Sequence, residues 1–160
     1  MRKTKTFSLT LAAMIAALYV VLTYASNMLG LANGNIQIRL SESLTILPVF
    51  TPAAIPGLFI GCLLSNLLTG CCFIDIVLGS IATALGAFGT RILRKGKITP
   101  FIPPVVSNAI IVPFVLRYGY GLSLPFPFMM LTVGLGEAIS CGVLGCFLRK
   151  TIRKKFHLFN

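Results

Sequence analysis

The sequence predicts an all-α integral membrane protein with six transmembrane helices and both termini in the cytoplasm. Three observations predict it. First, 56% of the 160 residues are hydrophobic and the mean hydropathy is +0.94, more apolar surface than a soluble domain of this size can bury. Second, apolar runs of helix length recur along the whole chain. Third, twelve of the fourteen Lys and Arg residues fall in three clusters beside those runs: Arg2, Lys3 and Lys5; Arg91, Arg94, Lys95 and Lys97; Arg149, Lys150, Arg153, Lys154 and Lys155.

A net charge of +11 would suit a nucleic-acid partner. Bases that flank apolar spans set topology instead, so no nucleic acid is expected. The positive-inside rule puts all three clusters in the cytoplasm, which makes the number of crossings even. The length leaves room for a single transmembrane domain, residues 1–160.

The first helix is the uncharged run 7–29, FSLTLAAMIAALYVVLTYASNML. At 1.5 Å per residue it reaches about 35 Å, enough for a ~30 Å hydrocarbon core. Ala12, Ala13, Ala16 and Ala17, with Ser8 and Leu9 a turn earlier, make a stripe of mostly small side chains. In lipid such a stripe lets another helix approach closely, whether from this chain or from a partner. The basic start and Tyr24-Ala25-Ser26 imitate a signal peptide. The run exceeds a usual h-region and further spans follow, so it is read as an uncleaved helix.

Gly30 and Asn33-Gly34-Asn35 then predict an outer loop. Four crossings are needed to use the apolar sequence between Lys5 and Arg91, so the second helix, 38–50, must be short. Pro48, Pro52 and Pro56 end it and start the third, 56–68. Gly57 and Gly61 give that helix a GxxxG spacing for close packing. The fourth helix is 73–93. The inner turn at residues 50–54 carries no base. Between Lys97 and Arg149 two more helices fit, 100–116 and 124–148, around an outer turn at Arg117-Tyr118-Gly119-Tyr120-Gly121.

Cys62, Cys71, Cys72, Cys141 and Cys146 form no CxxC pair, and His157, in a basic tail, is the sole histidine. The cysteines read as small apolar fillers, and neither a metal nor another cofactor is expected. The chain has no GxxxxGK[ST] loop, no HExxH and no Ser/His/Asp set, so it is not expected to be an enzyme. Any ATP-driven work falls to another protein.

Charge within lipid is expensive and asks for a reason. Glu42 follows the outer loop, Asp75 starts the fourth helix, and Glu137 stands twelve residues before Arg149, about 18 Å above the inner end. All three acids therefore fall in the outer half of the membrane. Arg39 is one turn before Glu42 and can pair with it. Asn108, midway along the fifth helix, and Asn66 need partners in a dry interior. Pro113 frees a backbone carbonyl near Asn108. Together these residues predict a pocket that opens outward and suits a small cationic or donor-rich molecule. Tyr19, Tyr24, Tyr118, Tyr120, Phe126 and Phe128 are candidates to stack on a flat heterocycle, or to form an interfacial belt.

The alanines Ala12, Ala13, Ala16 and Ala17 resemble the AxxxA docking motif of S components, the substrate-binding subunits of energy-coupling factor (ECF) transporters. The runs Ile38-Arg39-Leu40-Ser41-Glu42-Ser43-Leu44, Leu47-Pro48, Thr51-Pro52-Ala53-Ala54-Ile55-Pro56-Gly57-Leu58-Phe59-Ile60-Gly61 and Asp75-Ile76-Val77-Leu78-Gly79-Ser80 resemble the queuosine-precursor transporter (QueT) family. The resemblance covers nearly the whole chain. It implies six helices, a site near the outer face under the loop after the first helix, and docking by that helix. The partner implied is a module of one transmembrane coupling protein and two ATPases. The ligand implied is a queuosine precursor, a 7-deazaguanine base or queuine. Glu137 is then expected to accept the N–H pair of a guanine-like edge, and Asn108 or Arg39 to reach its carbonyl. Glu42 or Asp75 is expected to meet an amine. Two further readings stay open, an S component for another vitamin and an ion-coupled carrier working alone. A third is a membrane scaffold that carries nothing.

Overall fold

The computed structural model describes residues 5–31 and 37–158, with side chains through Lys154. Among these residues every regular element is helical: α1 Lys5–Met28, a 3-10 helix Leu40–Val49, α2 Ala54–Leu68, α3 Phe73–Ile92, a 3-10 turn Thr99–Phe101, α4 Ile102–Tyr118, α5 Phe126–Glu137, a π-helical segment Ala138–Leu144, and α6 Gly145–Leu158. Arg2, Lys3 and the turn residues Asn33-Gly34-Asn35 lie outside the described residues, as do the side chains of Lys155 and His157.

Among the described residues four stretches are long and apolar enough to cross a membrane: α1, α3, Thr99–Tyr118 and Phe126–Lys154. Residues 40–49 and α2 are shorter, with 10 and 15 residues. At ~2.0 Å and 1.5 Å per residue both fall short of a ~30 Å core. The last stretch is longer than the helix expected at 124–148: α5, the π segment and α6 run on without a break.

α1 and α2 are parallel neighbours. A Cβ added at Gly57 would lie 2.7 Å from the Ala12 carbonyl oxygen; one added at Gly61 would lie 3.1 Å from Ala16 Cα and 2.8 Å from Tyr19 Cβ. Higher up, the Tyr24 hydroxyl donates to the Leu68 carbonyl. Two parallel neighbours require the chain to return between them, and the 3-10 helix makes that return. Its end is held at the far side, where the Arg91 guanidinium donates to the carbonyls of Pro48 and Val49. α3 and α4 are antiparallel, with Gly86 against Pro104 and Gly89 against Pro103. Small residues thus let backbones approach at both seams, as membrane helices require in place of a hydrophobic drive.

The alanine stripe is divided by this packing. Ala12 and Ala16 are buried against Gly57 and Gly61. Ala13 and Ala17 point outward and are exposed. One alanine pair therefore serves the chain's own core. Gly61→Ala is expected to overpack this seam, at about 1–3 kcal/mol, and to lower the melting temperature of the purified protein by several degrees. An unchanged melt would show that the α1–α2 seam yields freely.

Candidate functional site

Among the described residues most bases lie at one end of the bundle and the acids at the other, where Arg39 and Arg117 also stand. At one end Arg91 caps the 3-10 helix, and Arg149 donates to the carbonyls of Gly96 and Lys97. At the other end a cavity of about 580 Å³ opens beneath the loops that follow α1, α2 and α4. Arg39, Asp75, Asn108 and Glu137 all line it. These four come from the loop after α1, the start of α3, the middle of α4 and the end of α5. Glu42 does not line it; it lies behind the wall, 1% exposed.

The loop that brings Arg39 in is pinned on two sides. Its Leu40 N–H donates to Ser26 Oγ of α1 at 2.8 Å, and its Arg39 N–H donates to Ser140 Oγ at 3.1 Å. A Cβ on Gly136 would collide with the Gln37 carbonyl, so glycine there lets the loop lie directly on α5. Beneath it comes the ten-residue 3-10 helix. Such helices are rarely so long. Their three-residue repeat stacks Glu42 and Thr45 on one face, and Thr45 Oγ1 donates to the Glu42 carbonyl at 2.6 Å.

The Glu42 side chain is held from two helices. The Tyr19 hydroxyl donates to its Oε1 from α1, and Thr83 Oγ1 donates to the same oxygen from α3 at 3.4 Å. Its other oxygen, Oε2, is buried and has no hydrogen-bond partner among the described residues. The pairing with Arg39 expected from the one-turn spacing is therefore not made. In a 3-10 geometry the return strand of backbone carries Arg39 to the cavity wall, while Glu42 turns into the core. Tyr19→Phe removes one donor from a buried carboxylate. It is expected to destabilise the protein by about 1–3 kcal/mol, read as a lower melting temperature. A melt equal to wild type would remove this bond as a support of the site.

Glu137 ends α5 where the helix widens to π geometry, a form that clusters at functional sites. The Cys141 thiol, four residues on, donates to Glu137 Oε2 at 3.2 Å. Asn108 faces the same carboxylate from α4. Oxygens of Glu42 and Glu137 and the Cys141 sulfur lie within 4.8 Å of one another. The cysteine spacing gave no sign of this cluster, because Glu42 is remote in sequence and Cys141 reads as a filler.

At the mouth, Asp75 Oδ2 accepts from the Tyr120 hydroxyl at 2.9 Å, and the Asp75 carbonyl accepts from Asn66 Nδ2 at 3.2 Å. The Tyr120 phenol is held above its usual range by burial, by the Cys71 thiol and by the Asp75 carboxylate. Of the six candidate rings, Tyr120 alone lines the cavity. Tyr19 lies beneath it on Glu42, and Tyr24 bonds the end of α2. Tyr118 stacks on Phe114, whose ring also meets Phe126 edge-on; Phe128 is exposed. The sequence reading missed Thr23, Asn27, Gln37 and Thr83, which add polar groups to the wall. Periodicity marks Thr23 and Thr83 only as small members of apolar helices.

The cavity thus offers carboxylates, a guanidinium, amides and hydroxyls at one end of a bundle of apolar helices. Such a set of groups suits a small polar molecule. Comparisons with known proteins give the family. A family model described as "QueT transporter" matches residues 9–154. The queuosine precursor transporter QueT of Lactococcus lactis subsp. cremoris (strain MG1363) is 29% identical to this chain, over 99% of each. No solved structure matches. The chain belongs to the QueT transporter family and is a multi-pass membrane transporter, not an enzyme.

Proposed function

We propose that this protein is the substrate-binding S component of an ECF-type importer that captures a queuosine precursor, a 7-deazaguanine base or queuine, from outside the cell. One observation carries the reading. Two of the three acids, Asp75 and Glu137, line a polar cavity at one end of the bundle and the third, Glu42, lies behind its wall, in a member of a transporter family with a relative named for queuosine precursors. Six segments alternate in direction through the membrane, the two short ones packed within the bundle. Both termini face the cytoplasm with the basic end, following the positive-inside rule.

A guanine-like edge presents two parallel N–H donors. The Glu137 carboxylate accepts both, and Asn108, beside it, reaches the ring carbonyl. Arg39 and Asp75 hold the part of the ligand nearer the mouth, over the Tyr120 ring. The chain has no nucleotide-binding loop, so propulsion belongs to a coupling protein and two ATPases. The outward face of α1, with Ala13 and Ala17, docks onto that module.

The test is native mass spectrometry of the protein as purified, together with thermal shift against 7-deazaguanine bases, thiamine, riboflavin and folate. A bound 7-deazaguanine, or stabilisation by that class alone, is the expected result. Stabilisation by another vitamin alone would replace the proposed ligand and keep the S-component role.

A further inference from the structure

We propose that Glu42, Glu137 and Cys141 form a site for one divalent cation of the zinc class, set behind the wall of the polar cavity. The site does not depend on which molecule the cavity takes.

The three residues come from the 3-10 helix, the end of α5 and the π segment, and all are buried. One carboxylate oxygen of each glutamate and the Cys141 sulfur lie within 4.8 Å of one another. Cys141 Sγ already stands 3.2 Å from Glu137 Oε2. Ligands bonded to one tetrahedral zinc at about 2.0–2.3 Å are about 3.3–3.8 Å apart, so Glu42 has to close by about 1 Å at most. A second observation points to a ligand. Glu42 Oε1 accepts from Tyr19 and Thr83, while Oε2 is buried with no hydrogen-bond partner among the described residues. A buried carboxylate oxygen without a partner is costly, and Oε2 is the atom left to bind an ion.

The outer partners are those that orient metal ligands. Tyr19 and Thr83 fix Glu42 through Oε1, and Thr45 Oγ1 lies 3.3 Å from the Cys141 sulfur. A thiolate selects zinc-like ions over magnesium and calcium, which take oxygen ligands. The ion takes the place of the Cys141 thiol proton, which leaves to water. Two carboxylates and a thiolate then face the ion and the Arg39 guanidinium, which neighbours both glutamates, and no net charge is left buried. Glu137 lines the cavity, so the ion enters from there, and a water molecule or the Asn108 amide oxygen completes the tetrahedron. A carboxylate has about four lone-pair sites, so Glu137 keeps its cavity-facing edge for a bound molecule.

The experiment is titration of the full-length protein in nanodiscs with Co²⁺, after removal of metal by a chelator. Co²⁺ adopts the geometry of zinc and, when bound by a thiolate, shows a sulfur-to-metal charge-transfer band. One Co²⁺ per chain with that band is the expected result, and Zn²⁺ should displace it. The band should persist in Cys72→Ser and Cys146→Ser and vanish in Cys141→Ser. Glu42→Gln, which keeps the thiol, should weaken Co²⁺ binding at least tenfold. Absence of binding overturns the proposal. Binding without the band means an adventitious ion only and overturns it as well. So does a band that survives Cys141→Ser. If Cys141→Ser does not fold, Glu42→Gln decides, and unchanged affinity in that variant overturns the site. None of these outcomes touches precursor binding, which thermal shift reads separately.

Discussion

Glu137→Gln should lower the affinity for a 7-deazaguanine base at least a hundredfold and raise the melting temperature of the empty protein. The loss follows from the donor pattern. A carboxylate accepts two parallel N–H bonds, whereas a carboxamide of the same shape sets one acceptor and one donor against them. One ligand donor is left facing an N–H. Hydrogen bonds to a charged group are worth about 1.5–3 kcal/mol each, and a site built to bond a polar group rejects a mismatched one by several orders of magnitude. The gain in stability follows from the neighbour. Glu137 and Glu42 share a buried space, with oxygens within 4.8 Å, and an amide in place of one carboxyl removes a group that burial and its neighbour both disfavour as an ion. The Cys141 thiol keeps an acceptor in the amide oxygen. Opposite signs in the two measurements would mark a residue kept for binding at the expense of stability. Affinity within threefold of wild type would remove Glu137 from the ligand's edge.

Asn108→Ala is a milder case. It deletes one neutral partner beside Glu137, and a loss of about tenfold is expected.

The helical segments were legible because lipid imposes long apolar runs and charges mark their ends. Residues 73–93 and 100–116 fall within a few positions of α3 and of the 3-10 turn with α4. The cost of charge in lipid singled out Glu137, Asp75, Asn108 and Arg39, and the fold brings all four to one cavity. What stayed hidden is local helical pitch. A spacing of three between Arg39 and Glu42 reads as a shared face at 3.6 residues per turn. In the observed geometry Arg39 precedes the 3-10 helix in extended backbone, so the two side chains part. The π segment was equally invisible: Cys141 at four residues from Glu137 fits an α turn as well. Thr83 could be found only from its partner, since nothing in its own helix shows that Glu42 lies opposite.

The second large effect concerns α1, whose alanines the fold divides between two surfaces. Ala12 and Ala16 are sealed against Gly57 and Gly61. Ala13 and Ala17 lie exposed on the far side, among Leu9, Met14, Leu18 and Val21. Small residues between larger ones form a shallow valley, which a partner helix can enter and lipid chains fill with less gain. Ala13→Leu and Ala17→Leu should fill that valley. Uptake by cells is expected to fall at least tenfold, while ligand binding by the purified protein stays within twofold. Ala16→Leu should behave differently. Its Cα lies 3.1 Å from where a Gly61 Cβ would stand, so a leucine has no room and costs at least about 1–3 kcal/mol by overpacking. That variant should lose stability and binding together. Normal uptake by both outward variants would leave Ala13 and Ala17 as lipid-facing residues and move the docking surface off α1. Parallel loss of binding would instead mean that the outward face supports the cavity, through the same helix that carries Tyr19 to Glu42.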